Sequence, residues 1–198
     1  MSARRLVLDV HGVVLNNPLP TFLREVAVRT GQSPTNLPLR WHDELRRDAW
    51  LGRISDRELW SRVTRGHGDP REWGERLESR YAPGPAAAHL ARWRRRLPVC
   101  LLSNHRTAWL LPRLERLGLR APFTSILVSD QLGSLKPEAE AFAAATAGLA
   151  DPSEALFVDD QLPNVEAARA LGLGAIHARP GDAQWIGEID ALVRAHAA

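Results

Sequence analysis

Ala155 to Gly172 reads ALFVDDQLPNVEAARALG. An apolar run leads straight into two aspartates, and a helix-compatible stretch, Leu162 to Leu171, then stops at Gly172. Continuous apolar runs suit parallel strands covered on both faces. A glycine just past a helix supplies its C-terminal cap. A solvated acidic turn is the bland alternative for Asp159-Asp160, and the apolar run immediately before the pair argues against it.

The same grammar recurs on either side. LVLDV (Leu6 to Val10), VCLLSN (Val99 to Asn104), SILVSD (Ser125 to Asp130) and GAIHA (Gly174 to Ala178) are short apolar runs ending in polar residues or loops. Helical stretches are expected over Thr107 to Leu117 before Gly118, Pro137 to Ala147 before Gly148, and Ala183 to His196 at the end. Strands alternating with helices predict an α/β protein with a Rossmann-like, doubly wound parallel sheet.

Between Val10 and Val99 no strand-like run occurs, and the distance is far too great for a bare crossover loop. Two helix starts stand out there: Ser55-Asp56-Arg57-Glu58 and Asp69-Pro70-Arg71-Glu72 both set a capping side chain three residues ahead of a glutamate. A small helical cap over 17–83, inserted after the first strand into a core of 1–16 and 84–198, is therefore expected. Trp41, Trp50, Trp60 and Trp73 fall within it, and most of them read as its core, with one or two available to line a cleft.

Composition bounds the remainder. The 198 residues are 44% hydrophobic and 25% charged, ordinary for a soluble globular protein. The start of the chain carries an arginine pair and an apolar run, but Asp9 and His11 interrupt that run, so neither a signal peptide nor a membrane span is expected. Cys100 is the only cysteine and lies in an apolar stretch, which suits a buried structural thiol in a reducing cytoplasm. A net charge of +3 does not indicate nucleic acid. The densest basic cluster, Arg92-Trp93-Arg94-Arg95-Arg96, follows a helix-compatible stretch and reads as a solvated helix end favoured by the helix dipole.

Lys136 is the only lysine in the chain, although Lys and Arg together number 26. It sits in GSLKPE, a strand-to-helix loop. A compact ammonium with three donors fits a tight site between carboxylates and a phosphate better than a planar guanidinium does. In open α/β sheets, ligands bind beyond the carboxyl ends of the strands. Asp9, His11, Ser103, Asn104, Lys136, Asp159 and Asp160 should converge there. Carboxylates, a hydroxyl or amide, and an ammonium are what phosphoryl transfer to a carboxylate nucleophile requires.

At these residues the chain resembles the haloacid dehalogenase superfamily, through four ordered motifs: LVLDVHGVV, LLSN, GSLKPEAEAF and LFVDDQLPNVEAARALG. With LGRISDRELW added, it looks like the branch containing bacterial glucose-1-phosphate phosphatase and the phosphatase domain of soluble epoxide hydrolases. The resemblance implies that Asp9 attacks phosphorus to form an aspartyl-phosphate. It further implies that magnesium is held by Asp9, the backbone carbonyl of His11, Asp160 and Asp159, and that Lys136 keeps Asp9 ionised. Ser103 and Asn104 would donate hydrogen bonds to the phosphoryl oxygens. Asn164 stands where many relatives carry an aspartate, and would orient Lys136 or a metal-bound water.

His11 departs from the pattern, because most phosphatases of the superfamily have an aspartate there as general acid and base. An imidazole with its ordinary pKa of about 6.5 is suited to both transfers; contact with substrate, or a structural role in the loop, are the other readings. His105 and Arg106 would sit near the mouth of the site, binding an anionic or hydroxylated part of the substrate, or else capping the next helix or facing solvent. The expected protein is a magnesium-dependent phosphatase of a small phosphorylated metabolite such as a sugar phosphate. Two alternatives stand beside it: a hydrolytic dehalogenase using Asp9, and a noncatalytic ligand-binding member.

Overall fold

The computed structural model describes residues 3–195. Along the chain, strand β1 (Arg5–Leu8) is followed by five α-helices: α1 (Leu19–Arg29), α2 (Asn36–Arg40), α3 (Arg46–Trp50), α4 (Asp56–Thr64) and α5 (Pro70–Glu78). Then come α6 (Leu90–Arg94), β2 (Val99–Ser103), α7 (Thr107–Arg116), β3 (Ser125–Val128), α8 (Ser129–Leu132), α9 (Ala139–Thr146), β4 (Ala155–Asp159), α10 (Leu162–Ala170), β5 (Gly174–His177) and α11 (Gln184–Ala195). Two compact units result: residues 1–16 with 82–198, and residues 17–81.

The first unit is a parallel five-stranded sheet in the order β3-β2-β1-β4-β5. β1 is central, flanked by β2 and β4, so the strand order reverses direction beside it. Such a switch point opens a crevice at the carboxyl ends of the strands. Both faces are covered. Val7, Cys100, Leu102 and Phe157 share one buried cluster with Phe142 of α9 and Ala168 of α10, and the Phe142 and Phe157 rings meet edge to face at 5.3 Å. Leu6, Leu8, Leu101 and Val158 alternate to the other face and are equally inaccessible. Gly118, Gly148 and Gly172 follow α7, α9 and α10 with φ of 67°, 80° and 86°, the left-handed conformation a helix C-terminus asks for.

The strands are shorter than their apolar runs. β1 stops at Leu8, leaving Asp9 and Val10 in the following turn, and β3 stops at Val128 because Ser129–Leu132 turns into α8. β3 is also an edge strand with only Val128 buried, not a strand covered on both faces. The final helix ends its description at Ala195, so His196 lies outside the described residues. The arginine cluster ends α6 as expected of a helix terminus. Trp93 inside it is buried, donating from Nε1 to Asp190 at 2.7 Å, and Arg92 pairs with the same carboxylate. Cys100 is buried, and burial raises its thiol pKa, as a structural thiol requires.

Within this unit the segment after β1 pairs with the segment at Ala82 to Gly84. Asn16 N–H donates to Ala82 O at 3.1 Å, Ala82 N–H donates to Asn16 Oδ1 at 2.9 Å, and Gly84 N–H donates to Val14 O at 2.8 Å. A Cβ on Gly84 would lie 2.8 Å from the Leu15 carbonyl carbon, so this close pairing needs glycine.

The second unit is all helical. Phe22 of α1 receives Trp60 and Trp73 edge to face at 5.8 and 6.3 Å, and Trp41 meets Trp50 at 5.3 Å. All four tryptophans are buried, so they pack the unit and none is left over for a cleft. Ser55 caps α4 by accepting from Glu58 N–H at 3.1 Å; Asp69 caps α5 one residue earlier than expected, accepting from Arg71 N–H at 2.8 Å. No helix of the described residues is long and apolar enough to cross a membrane.

Candidate active site

Lys136 joins two carboxylates that strands β1 and β4 deliver side by side. Its Nζ donates to Asp9 Oδ1 and to Asp159 Oδ2, each at 2.7 Å, and it is only 3% exposed. Register explains the meeting: Leu8 pairs with Val158, so the residues that follow each emerge together at the sheet edge. The Lys136 backbone is fixed too. Asn104 Nδ2 donates to Lys136 O, and Lys136 N–H donates to Asn104 Oδ1, both at 2.8 Å. The side-chain amide of Asn104 thus holds the main chain of Lys136 through its oxygen and one of its two donor hydrogens.

Asp159 is equally committed. Its Oδ1 accepts from Gln161 N–H at 2.8 Å, and its Oδ2 accepts from Asn164 Nδ2 at 2.9 Å as well as from Lys136. Asn164 thus orients Asp159 rather than Lys136. Asp160 differs: its Oδ1 is buried without a hydrogen-bond partner, and so is Ser103 Oγ at the end of β2. Buried polar atoms are seldom left unpaired. An open acceptor suits a cation, and an open donor suits an oxyanion.

The electrostatics point the same way. Burial, followed by the charge on Asp159, pushes the Asp9 carboxyl up to about 8 despite the opposing Lys136. Burial and Asp159 likewise push Asp160 up to about 6. Lys136 is held above its ordinary value: burial works to lower it, but Asp159 and Asp9 outweigh burial. One ammonium does not balance three carboxylates. Oxygens of Asp9, Asp159 and Asp160 lie within 4.8 Å of one another, an all-oxygen donor set fitting a hard divalent cation such as magnesium.

His11 occupies the turn after β1, where Gly12 N–H donates to Leu15 O at 2.7 Å. Burial, then the charges of Arg113 and Lys136, lowers its pKa to about 3, so the resting imidazole is neutral. Its ring lies 5.1 Å from that of His105. His105 itself is not at a mouth: it is wholly inaccessible, Arg106 N–H donates to its Nδ1 at 2.7 Å, and Arg113 Nη1 approaches its Nε2 at 3.1 Å. Arg106 is buried with its guanidinium 5.0 Å from the Trp109 ring centre. Neither caps α7. That task falls to Asp130, which accepts from Thr107 N–H at 2.8 Å and Thr107 Oγ1 at 2.6 Å.

Two contributors escaped the sequence reading. Gly12 has φ 76°, and a Cβ there would fall 2.4 Å from Asp160 Oδ2, so glycine lets that carboxylate approach. His177, at the end of β5, places Nε2 3.0 Å from the main-chain oxygen of Asp160. Both had a readable signal: the glycine follows His11, and His177 closes the apolar run GAIHA at a strand's carboxyl end.

A family model for haloacid dehalogenase-like hydrolases matches residues 44–172, and the chain belongs to that family. Its fold is similar to that of a haloacid dehalogenase family enzyme from Bacteroides thetaiotaomicron, with a TM-score of 0.75 and 20% identity over 92% of this chain and 96% of that one. That enzyme has also been crystallised with magnesium and inorganic phosphate. A predicted hydrolase of the same kind from Porphyromonas gingivalis gives 0.70 and 24% over 98% and 99%. L-2-haloacid dehalogenase from Xanthobacter autotrophicus gives 0.61 and 23% over 88% and 77%. Comparison with curated proteins finds no match.

Proposed function

We propose that the protein is a magnesium-dependent phosphomonoesterase acting on a small phosphorylated metabolite in the cytoplasm. The observation that carries this reading is the Lys136 bridge between Asp9 and Asp159, with Asp160 clustered beside them and an oxygen of Asp160 left open. Asp9, Asp160 and the His11 carbonyl would hold the metal, with Asp159 oriented behind them. Bound there, magnesium supplies positive charge that keeps Asp9 ionised and offsets charge on the transferring oxygens.

In the proposed reaction Asp9 is the nucleophile and Lys136 positions it. The Asp9 oxygen forms a bond to phosphorus as the ester P–O bond breaks, while Ser103 Oγ donates to a phosphoryl oxygen. A substrate dianion brought beside His11 favours its protonated form; the imidazolium gives that proton to the leaving oxygen. His11 takes a proton back from the water whose oxygen then displaces Asp9 from phosphorus. The helical unit, 17–81, is assigned to substrate selection, and the resemblance to the glucose-1-phosphate phosphatase and epoxide hydrolase branch favours a sugar phosphate.

Displacement of halide from carbon is the competing reaction, but it leaves the Asp159-Asp160 pair without employment, and a noncatalytic role leaves Lys136 without it also. The test is phosphate release from a panel of phosphorylated metabolites, with magnesium or chelator, beside Asp9→Asn. Magnesium-dependent turnover that disappears in Asp9→Asn is the expected result. Halide release from haloacids without phosphate release would reassign the chemistry.

A further inference from the structure

Lys136 is held at its root as well as at its tip, and one of the residues holding it lies outside the carboxylate cluster. Glu138 stands at the N-cap position of α9, where a side chain ordinarily accepts from the first N–H groups of its own helix. Glutamate is not among the side chains favoured there, and this one makes no such bond. It turns back along the chain instead. Its Oε2 accepts from Ser134 Oγ at 2.9 Å and from Leu135 N–H at 3.1 Å, while its backbone N–H donates to Leu135 O at 2.7 Å. Glu138 thus takes both main-chain groups of Leu135, as Asn104 takes both of Lys136. Ser134, Leu135 and Lys136 are buried, so their polar groups need such partners.

We propose that Glu138 is a positioning residue for the Lys136 ammonium, an inference that rests on the reading of Asp9, Lys136 and Asp159 as the catalytic site. Nζ ends a flexible four-carbon stem, yet it meets two carboxylate oxygens at 2.7 Å each. A stem whose root wanders cannot keep both contacts. Asn104 reaches the loop from the end of β2 and Glu138 from the start of α9, so the root is pinned from two elements at once. A negative charge at the helix N-terminus does not account for Glu138, because Glu140, exposed in the same turn, supplies one. What Glu138 adds is an oxygen that accepts twice from the loop, and this needs two lone pairs, not a charge.

Because Lys136 is the only lysine, full-length protein made with nitrogen-labelled lysine gives a single side-chain ammonium signal by NMR, and that signal belongs to this residue. It reports the bonds to Asp9 and Asp159, not the loop that a substitution at Glu138 touches. Glu138→Ala is expected to shift or broaden the ammonium signal and to lower kcat by about tenfold or more with KM nearly unchanged, within the ~100-fold that ~1 Å of misplacement can cost. Glu138→Gln should restore both, since its amide oxygen accepts the same two bonds. Glu140→Ala removes the same charge from the same helical turn and should change neither. Ser134→Ala, which deletes one of the two bonds, is expected to move the signal less than Glu138→Ala does, and it stands in should that variant not fold. An ammonium signal and kcat that keep their wild-type values in Glu138→Ala, or that move equally in Glu140→Ala, would overturn the proposal. If the wild-type protein releases no phosphate, the phosphatase reading falls by itself and the ammonium signal alone decides the role of Glu138.

Discussion

Asn104 grips both main-chain hydrogen-bonding groups of Lys136, accepting from its N–H and donating to its carbonyl oxygen at 2.8 Å each. A side chain at the end of β2 thus sets where the ammonium between Asp9 and Asp159 stands, although 32 residues separate the partners.

Replacing Asn104 should therefore misplace Lys136 without removing any charge. Asn104→Ala leaves two backbone groups of Lys136 in search of partners, a loss of about 1–3 kcal/mol in unfolding free energy. Because misplacement of a positioned group by about 1 Å can cost ~100-fold, kcat should fall far more than KM rises. Steady-state kinetics beside urea unfolding separates the two effects; unchanged kcat would show that Lys136 needs no such grip.

Removing the ammonium itself is a harsher change. Lys136→Met leaves Asp9 and Asp159 facing each other when buried, and loss of one partner of a buried pair costs about 3–5 kcal/mol. The penalty should be largest near pH 8 in chelator and smaller near pH 5, where a proton on Asp9 takes over part of the ammonium's work. Lys136→Arg should not restore activity, since a planar fork does not fit between oxygens each held at 2.7 Å. Denaturant titrations at the two pH values test this.

Metal affinity should climb with pH. In the metal-free protein Asp9 is pushed up to about 8 and Asp160 to about 6, by burial first and by Asp159 second, above the ordinary 3.8. The folded state thus binds more protons than the unfolded chain, so this contribution to stability is complete below about 3.8 and is lost as pH rises through 6 and 8. His11, lowered to about 3 by burial and nearby cations, acts oppositely below 6.5, as does His105. Between about 6.5 and 8 Asp9 is unopposed. Stability in chelator should fall there by up to about 1.4 kcal/mol per pH unit, and magnesium should reverse the loss while releasing protons on binding. Calorimetry in buffers of different ionisation enthalpy counts those protons; a count of zero at pH 7 would contradict the placement of Asp9.

Gly12→Ala puts a Cβ into space that Asp160 fills, whereas Gly118→Ala meets nothing within 4 Å at a similar φ of 67°. Both variants should lose about 1–2 kcal/mol of stability to the backbone conformation. Only Gly12→Ala should also weaken magnesium binding, by about 10–100-fold, the usual effect of disturbing a ligand's surroundings. Equal magnesium affinity in the two would separate Asp160 from the metal.

Much of this architecture is local chemistry written along the chain. Apolar runs such as VCLLS and ALFVD declare buried parallel strands, and Gly118, Gly148 and Gly172 stop the helices between them, because period and backbone permissiveness act over a few residues. The meeting of Asp9, Lys136 and Asp159 was legible for a related reason: in a parallel sheet every strand ends at the same edge. Residue types with their positions relative to strand ends were enough to name the cluster.

What each member does once there was not legible. Asn104 turned to Lys136, Asp130 reached across to cap α7, and His105 went inside against Arg113, while His177 came to the main-chain oxygen of Asp160 from the end of β5. The π-helical turn at Trp41–Leu45 and the left-handed Arg65 are similarly silent in the residue pattern. Hydrogen-bond partners separated by many residues are selected by strand register and by competition for buried donors and acceptors, quantities that exist only after the chain has packed; the sequence alone settles which groups arrive, and packing settles which of them remain open.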